Sequence, residues 1–533
     1  MERFIWEVVY LLKRRFRKRL YSWLVLSLIG LAALLVIGFF LNQPTDKKKS
    51  EVREKSTYRP VYHFTTPEKW MNDPQRPVYI DGKYHYYYLY NRDYPNGSGT
   101  EWRHATSKDL VHWKDEGVAI PKYTNPNGDI WSGSVVVDQQ NTAGFGKNAV
   151  VAIVTQPSAD SGQQEQYLWY STDKGKTFRS YSSHPVMPNP GTKDFRDPKV
   201  VWDDQDHKWI MLLAEGTKIG FYESENLKDW RYTGGFLTNN IGLIECPDLY
   251  VMRADDGTDQ WILGASANGK AEGKPNTYAY WVGSYNGETF IARHSEPQWL
   301  DYGFDWYAGI TFQQEEGTRP LKERYAIAWM NNWDYPHNTP NKKDGFNGMD
   351  SIVRQISLKR QTDRSYSLVS QPIVGLDRLT RSTNRLHSIK VDGAKTLDIK
   401  GDAYQLDADI SWTDARNVGF RLRESADKSR HIDAGIFTEG SYSYVNRGWT
   451  DQPDVSRRYV ESRAPFDTGK TNVHLKILVD RTSIEVFVDD GRIAYSSEVF
   501  PRLDDKGITL FSEGGPSNFK NIEIRHFRSI HEK

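Results

Sequence analysis

SKDLVHW, residues 107–113, sets a Ser two places before an Asp and closes on an aromatic ring. The pattern returns in STDKGKTF (171–178), in SENLKDW (224–230) with Asn in the Asp position, and in SYNGETF (284–290). Ser and Asx side chains that bond the backbone a few residues on make tight turns, and the closing ring gives each turn an apolar anchor. Successive copies are 53 to 64 residues apart, which suits one four-stranded blade with long loops, so the repeat predicts a β-propeller. Short β-type runs lie between the copies, among them KYHYYYLY (83–90), SVVVD (134–138), VVAIVT (150–155), KWIMLLA (208–214) and YAIAWM (325–330). Gly, Asn, Asp and Pro punctuate them and no long amphipathic helix intervenes, so the chain reads as all-β.

The pattern changes after LVSQPIVGLDRL (368–379). Strands such as YQLDADISW (404–412), VHLKILVD (473–480) and SIEVFVDD (483–490) alternate polar and apolar residues, which predicts an antiparallel sandwich of two packed sheets. The expected organisation is a propeller over 58–372, a connecting segment over 373–395 and the sandwich over 396–530.

Residues 23–41 are uncharged and almost wholly apolar, close to the ~20 residues a helix needs to cross a bilayer. Lys13, Arg14, Arg15, Arg17, Lys18 and Arg19 precede them. The positive-inside rule then predicts a basic cytoplasmic segment (1–22), a transmembrane anchor (23–41), a polar linker (42–57) and extracellular folded domains, open to release by later processing. Over the whole chain acids and bases nearly balance, at a formal net charge of +1, so nothing beyond this basic cluster gives a footprint for nucleic acid. A single cysteine, Cys246, excludes intrachain disulfides and thiolate metal clusters. The 13 histidines are scattered without ligand spacing, so neither a metal nor a cofactor is expected. No obligate protein partner is indicated.

Three carboxylates of the first half stand beside prolines: Asp73 in WMNDPQ, Asp197 in DFRDPK and Glu245 in IECPDL. Proline restricts the backbone around it, which suits a side chain that must aim at one atom, although Asp-Pro is also an ordinary turn dipeptide. Propeller strands converge on an axis, so acids far apart in sequence can meet there. Two carboxyl groups suffice to cleave a glycoside, leaving the third another task. The 18 Trp and 31 Tyr fit carbohydrate sites, where sugar C–H faces lie on flat rings, and equally fit an aromatic-rich sheet. Cys246 has no basic neighbour in sequence to activate it as a nucleophile.

In this order and spacing, WMNDP, FRDP and ECPD resemble the three motifs of glycoside hydrolase family 32, the invertase, inulinase and levanase family, with DIWSGSVVVD (129–138) and WMNNWDY (329–335) in support. The resemblance covers about residues 60–530. It implies a five-bladed propeller followed by a β-sandwich, a retaining mechanism, and no cofactor. It also implies Asp73 as nucleophile, Glu245 as acid/base and Asp197 as transition-state stabiliser. Asn72, Trp131, Ser132 and Arg196 are implied to hold the sugar, with Trp102, Trp306 and Trp333 as stacking walls. Family members commonly continue the first motif with Asn-Gly, where this chain has Gln75 and Arg76, and many exo-acting members place a Gln where Leu89 falls. Together with TEWRHATSKDLVHW (100–113), KYTNPNGDIWSGSVVVD (122–138) and FDWYAG (304–309), the chain resembles the branch that releases levanbiose or short oligosaccharides from levan, a β-2,6-fructan. Levan fructosyl transfer, exo-acting fructan hydrolysis and surface-tethered fructan binding without catalysis stay open at this stage.

Overall fold

The computed structural model describes residues 58–238, 241–315, 317–337, 344–450, 459–467 and 469–531. Five antiparallel sheets follow one another along the chain, each opening on the strand nearest the axis: Lys69–Ile80, Gly133–Asp138, Arg196–Asp203, Leu243–Arg253 and Tyr307–Phe312. These inner strands neighbour one another in a closed ring, first against second and so on back to the first, which makes the sheets blades I to V of a five-bladed propeller. The inner strands are buried along nearly their whole length, as packing on both faces requires.

The repeat marks the hairpin between the third and fourth strands of blades I to IV. In blade I, Leu110 N–H donates to Ser107 Oγ (2.8 Å) and His112 N–H to Asp109 Oδ1 (2.9 Å). Blade II repeats this with Gly175 N–H on Ser171 Oγ (2.9 Å) and Thr177 N–H on Asp173 Oδ1 (3.0 Å). In blade III Asn226 takes the Asp role, accepting from Asp229 N–H (2.9 Å), and in blade IV Asn286 accepts from Thr289 N–H (2.8 Å). The ring is closed by the chain's own start: Lys69 and Trp70 pair in parallel with Phe346–Asn347, and Thr65 bridges Met349.

The C-terminal region is sandwich-like, but its strands form one ten-stranded sheet rather than two separate ones. The strand Gly507–Phe527 pairs through its first part with Asn417–Glu424 and through its second part with Tyr404–Trp412, so it passes from one layer to the other. Gly514, at φ 78°, lies at the bend, where a side chain would meet Arg416. The layers enclose a core that includes Leu406, Ile410, Phe420, Leu475 and Phe519. Strand Thr380–Thr396 runs alongside Gly507–Phe527.

The expected single-pass membrane localisation finds no support in the structure. Among the described residues no helix is long and apolar enough to cross a membrane. The segments expected as cytoplasmic tail (1–22), anchor (23–41) and linker (42–57) lie outside the described residues, so the structure supports neither a single-pass anchor nor a membrane partner.

Candidate active site

All five inner strands begin at one end of the axis, and the acids meet there. Asn72 and Asp73 lie near the start of the blade I strand, Ser132 just before that of blade II, and Arg196 and Asp197 open that of blade III. Glu245 and Cys246 lie near the start of the blade IV strand, and Tyr307 opens that of blade V.

The local backbone explains the prolines. In blades I, III, IV and V the inner strand carries one extra residue against its neighbour, between Met71 and Pro74, Arg196 and Lys199, Glu245 and Asp248, and Tyr307 and Ile310. Each is a β-bulge, which interrupts the ladder and re-aims a side chain. Pro74, Pro198 and Pro247 stand inside or at the edge of three of them, where a missing N–H loses no ladder bond. Asp197, Cys246 and Ala308 take left-handed φ values of 60°, 47° and 51°, a conformation that costs a non-glycine residue about 1–2 kcal/mol. The bulges turn Asp73, Asp197 and Glu245 toward a common floor.

Each carboxylate is held. Ser132 Oγ donates to Asp73 Oδ2 (2.6 Å) and Asn72 Nδ2 to Asp73 Oδ1 (3.1 Å). Cys246 N–H donates to Asp197 Oδ2 (3.0 Å), and its Sγ lies 3.8 Å from that oxygen and 4.0 Å from Asp73 Oδ2, so the thiol stands between the two acids. Arg196 donates from Nε and Nη2 to Glu245 Oε1 (both 3.1 Å) and from Nη1 to Asp194 (2.6 Å). Tyr307 OH donates to Glu245 Oε2 (2.6 Å).

Burial pushes the Asp73 carboxyl up to about 6; the Ser132 hydrogen bond pulls it back, and the Glu245 charge adds to the rise. Burial likewise raises Asp197, against the pull of Arg196 and with the charges of Glu245 and Asp73 in support. Burial and the same acids hold the Cys246 thiol well above its ordinary range, so it stays protonated and is no nucleophile.

The floor opens into a cavity of about 800 Å³, well within the range of small-molecule sites. Of the residues expected to hold a sugar, Asn72, Trp131, Ser132, Arg196 and Trp333 line it, with Leu89 in the wall. Trp333 is 43% exposed and leans on Trp329 with ring centroids 4.8 Å apart. Trp102 and Trp306 are not brought to the cavity: both are fully enclosed, Trp102 donating to the Trp131 carbonyl (2.9 Å) and Trp306 to Ser351 Oγ (3.1 Å). Gln75 and Arg76, at 1% and 3% exposure, lie beneath the floor. Gln75 Nε2 donates to the Asp73 carbonyl (3.0 Å) and its Oε1 accepts from Gly133 N–H (2.7 Å), a side-chain clamp between blades I and II.

Sequence reasoning passed over Tyr307, next to the Trp306 it chose; strand alternation sends neighbouring side chains to opposite faces. It also passed over Tyr94 and His337, whose rings stack at 5.8 Å in the cavity wall.

Residues 63–372 match the family description "Glycosyl hydrolases family 32 N-terminal domain", and residues 375–526 match "Glycosyl hydrolases family 32 C terminal". The chain is 66% identical over 511 residues to a levanbiose-producing levanase of Bacillus subtilis (strain 168), covering 96% of this chain and 99% of the relative. It is 68% identical over 395 residues to a levanbiose-producing levanase of Geobacillus stearothermophilus, covering 74% of this chain and all of the relative. The fold superposes on the crystal structure of exo-inulinase from Aspergillus awamori with a TM-score of 0.80 at 28% identity, over 89% of this chain and 99% of that one.

Proposed function

The chain belongs to family 32 of the glycosyl hydrolases, and on that premise we propose that it is a retaining glycosidase that cleaves the β-2,6-fructosyl linkages of levan and releases levanbiose. The observation that carries the reading is three carboxylates from three blades on the floor of one cavity, Asp73 and Asp197 buried and Glu245 half-buried, in a chain 66% identical along nearly its whole length to a levanbiose-producing levanase.

In this reading Asp73 is the nucleophile. Its carboxylate attacks the anomeric carbon of a fructosyl unit while Glu245 gives a proton to the departing glycosidic oxygen. Glu245 then takes a proton from water, which attacks the fructosyl-enzyme ester from the side the leaving group vacated, so configuration is retained. The donors Ser132 and Asn72 fix the attacking carboxylate. Arg196 and Tyr307 fix the Glu245 carboxyl from its two sides. Asp197 is the stabiliser that accepts from the sugar hydroxyls, held in aim by the Cys246 N–H. Leu89 offers no hydrogen bond to a terminal sugar hydroxyl, which supports release of a unit longer than one fructose.

Separate digests of levan, inulin and sucrose, resolved by chromatography, test this. Levanbiose should be the first product from levan. Free fructose as the sole early product overturns the levanbiose reading, a cyclic dianhydride indicates transfer in place of hydrolysis, and preference for inulin or sucrose overturns the levan assignment. Asp73→Asn should lower turnover by about 10⁴-fold or more.

A further inference from the structure

One wall of the cavity is the loop between the second and third strands of blade I, including Tyr94, Pro95, Gly97, Ser98 and Thr100. Its tip is solvent-exposed and glycine-rich, a composition that does not hold a shape by itself. Beneath it stands Lys122, whose side chain has no exposed surface. The Lys122 ammonium donates to the carbonyls of Ser98 (3.0 Å) and Gly99 (3.1 Å), pairs with Asp93 Oδ2 (2.7 Å) and reaches Asn91 Oδ1 (3.5 Å). It thus ties both ends of the loop to one point. Asn91 Nδ2 closes the turn on the Gly97 carbonyl (2.8 Å).

The loop is also joined to the segment that leads into the inner strand of blade II. Thr100 accepts from Ile130 N–H (2.9 Å) and donates through Oγ1 to the Ile130 carbonyl (2.7 Å), and Trp131 and Ser132 follow directly. At Gly99 any side chain would collide with the Asp129 carboxylate, so the wall is packed against blade II. Trp333 and His337 line the cavity from blade V. A fructosyl unit beyond the one attacked by Asp73 has to fit within these walls.

We propose that Lys122 is a positioning residue for product length: by clamping the 93–100 loop it fixes the wall that determines how many fructosyl units are enclosed before the bond is cut. It touches neither the substrate nor the acids, and acts through the loop. This rests on the reading that levan is cut to levanbiose. A buried ammonium is hard to replace by the field of a neutral side chain, because its carbonyl partners would be left without donors. Lys122→Met keeps the length of the side chain and removes the clamp. Asp93→Ala removes one partner at a position where the carboxylate is 47% exposed, and so leaves the fold secure.

Both variants are compared with the wild-type chain on levan, reading product lengths at early times, KM, kcat and the acidic limb of the pH profile. Lys122→Met should replace levanbiose as the dominant product by a mixture of lengths and raise KM about three- to tenfold, with kcat within about threefold and the acidic limb unmoved. Asp93→Ala should shift products in the same direction by less. Unchanged product lengths in Asp93→Ala, together with unchanged lengths or a uniform loss of kcat in Lys122→Met, overturn the role of Lys122. Wild-type release of fructose alone overturns the levanbiose reading instead, and the two failures are told apart by the wild-type digest.

Discussion

As the proposed nucleophile, Asp73 has to be an anion in a place that resists anions. Its carboxyl is pushed up to about 6 by burial, so the fraction able to attack falls as the pH drops through that value, and kcat/KM should show an acidic limb near pH 6. Ser132 is the strongest counterweight, donating at 2.6 Å to Asp73 Oδ2. A hydrogen bond to a charged group contributes about 1.5–3 kcal/mol, so Ser132→Ala should move the acidic limb up by about one pH unit or more; a pH–rate profile of the variant that coincides with the wild type's removes Ser132 from this task. The same shift has a stability consequence. The folded state holds the Asp73 proton more tightly than the unfolded chain, whose carboxyl titrates near 3.8, so ionisation costs the fold stability as the pH rises from about 4 through 6. Asp73→Asn should therefore be more stable than wild type at pH 7, by up to about 2–3 kcal/mol, with the gap in Tm closing toward pH 4. The acids were legible in sequence because proline marks their bulges. Tyr307 was not, because residue type alone does not tell which of two adjacent aromatics a strand turns inward, and Trp306, the larger ring, went to the core.

The recurring element is the bulged inner strand. In blade V the bulge has no proline; Ala308 takes the left-handed conformation and Gly309 follows, its N–H donating to Ser266 Oγ (3.3 Å). Ala308 aims nothing itself, yet it sets the direction of Tyr307 and hence of Glu245. Ala308→Gly should leave stability unchanged or raise it by about 1 kcal/mol, since relief of left-handed strain opposes the added freedom of the unfolded chain. Ala308→Val should cost about 2 kcal/mol or more, because a β-branched side chain is strained at positive φ in a fully buried place, and should lower kcat along with it. Thermal unfolding and kinetics on both variants check this; a valine variant as stable as wild type would show that the bulge carries no strain. Four blades could be found from the Ser-x-Asp/Asn hairpin, but the blade V hairpin, QTDRS (361–365), lacks the leading Ser, so the count of five came from the family resemblance. The place of Gln75 and Arg76 was hidden for a related reason: the strand runs down the axis from the bulge, and both polar side chains are spent on blade-to-blade contacts under the floor. The single sheet of the C-terminal region was hidden as well, since a strand that serves two layers is defined by distant partners and one glycine bend, not by its alternation.

At the scale of the whole molecule, the propeller and the C-terminal sheet meet through buried charge. His63, on the segment leading into blade I, bonds Asp480 Oδ2 through Nδ1 (2.9 Å) and Glu485 Oε1 through Nε2 (3.0 Å), with all three side chains enclosed. Arg354 of blade V reaches the other Glu485 oxygen (2.5 Å) and Asp301 (2.8 Å). Burial works against the His63 imidazolium, but the hydrogen bonds to Asp480 and Glu485 prevail and raise it from 6.5 to about 9. A raised folded-state value means that this contribution is complete below about pH 6.5 and is lost as the pH climbs through 9. Glu485 moves the other way, to about 2; burial opposes the shift, while Arg354 and His63 drive it, so its contribution is complete above about pH 4.5 and is lost as the pH falls toward 2. The two windows overlap between about pH 4.5 and 6.5, where the joint is strongest. The Tm of the full chain should therefore fall steadily from pH 6.5 to 9.5. Glu485→Gln leaves His63 and Arg354 buried with one carboxylate fewer, and breaking such a network costs about 3–5 kcal/mol. Because the variant also removes much of what raises His63, its Tm should depend less on pH across the same range. Differential scanning calorimetry at half-unit pH steps measures both effects, and a variant that keeps the wild-type alkaline slope would place the origin of that slope outside the joint.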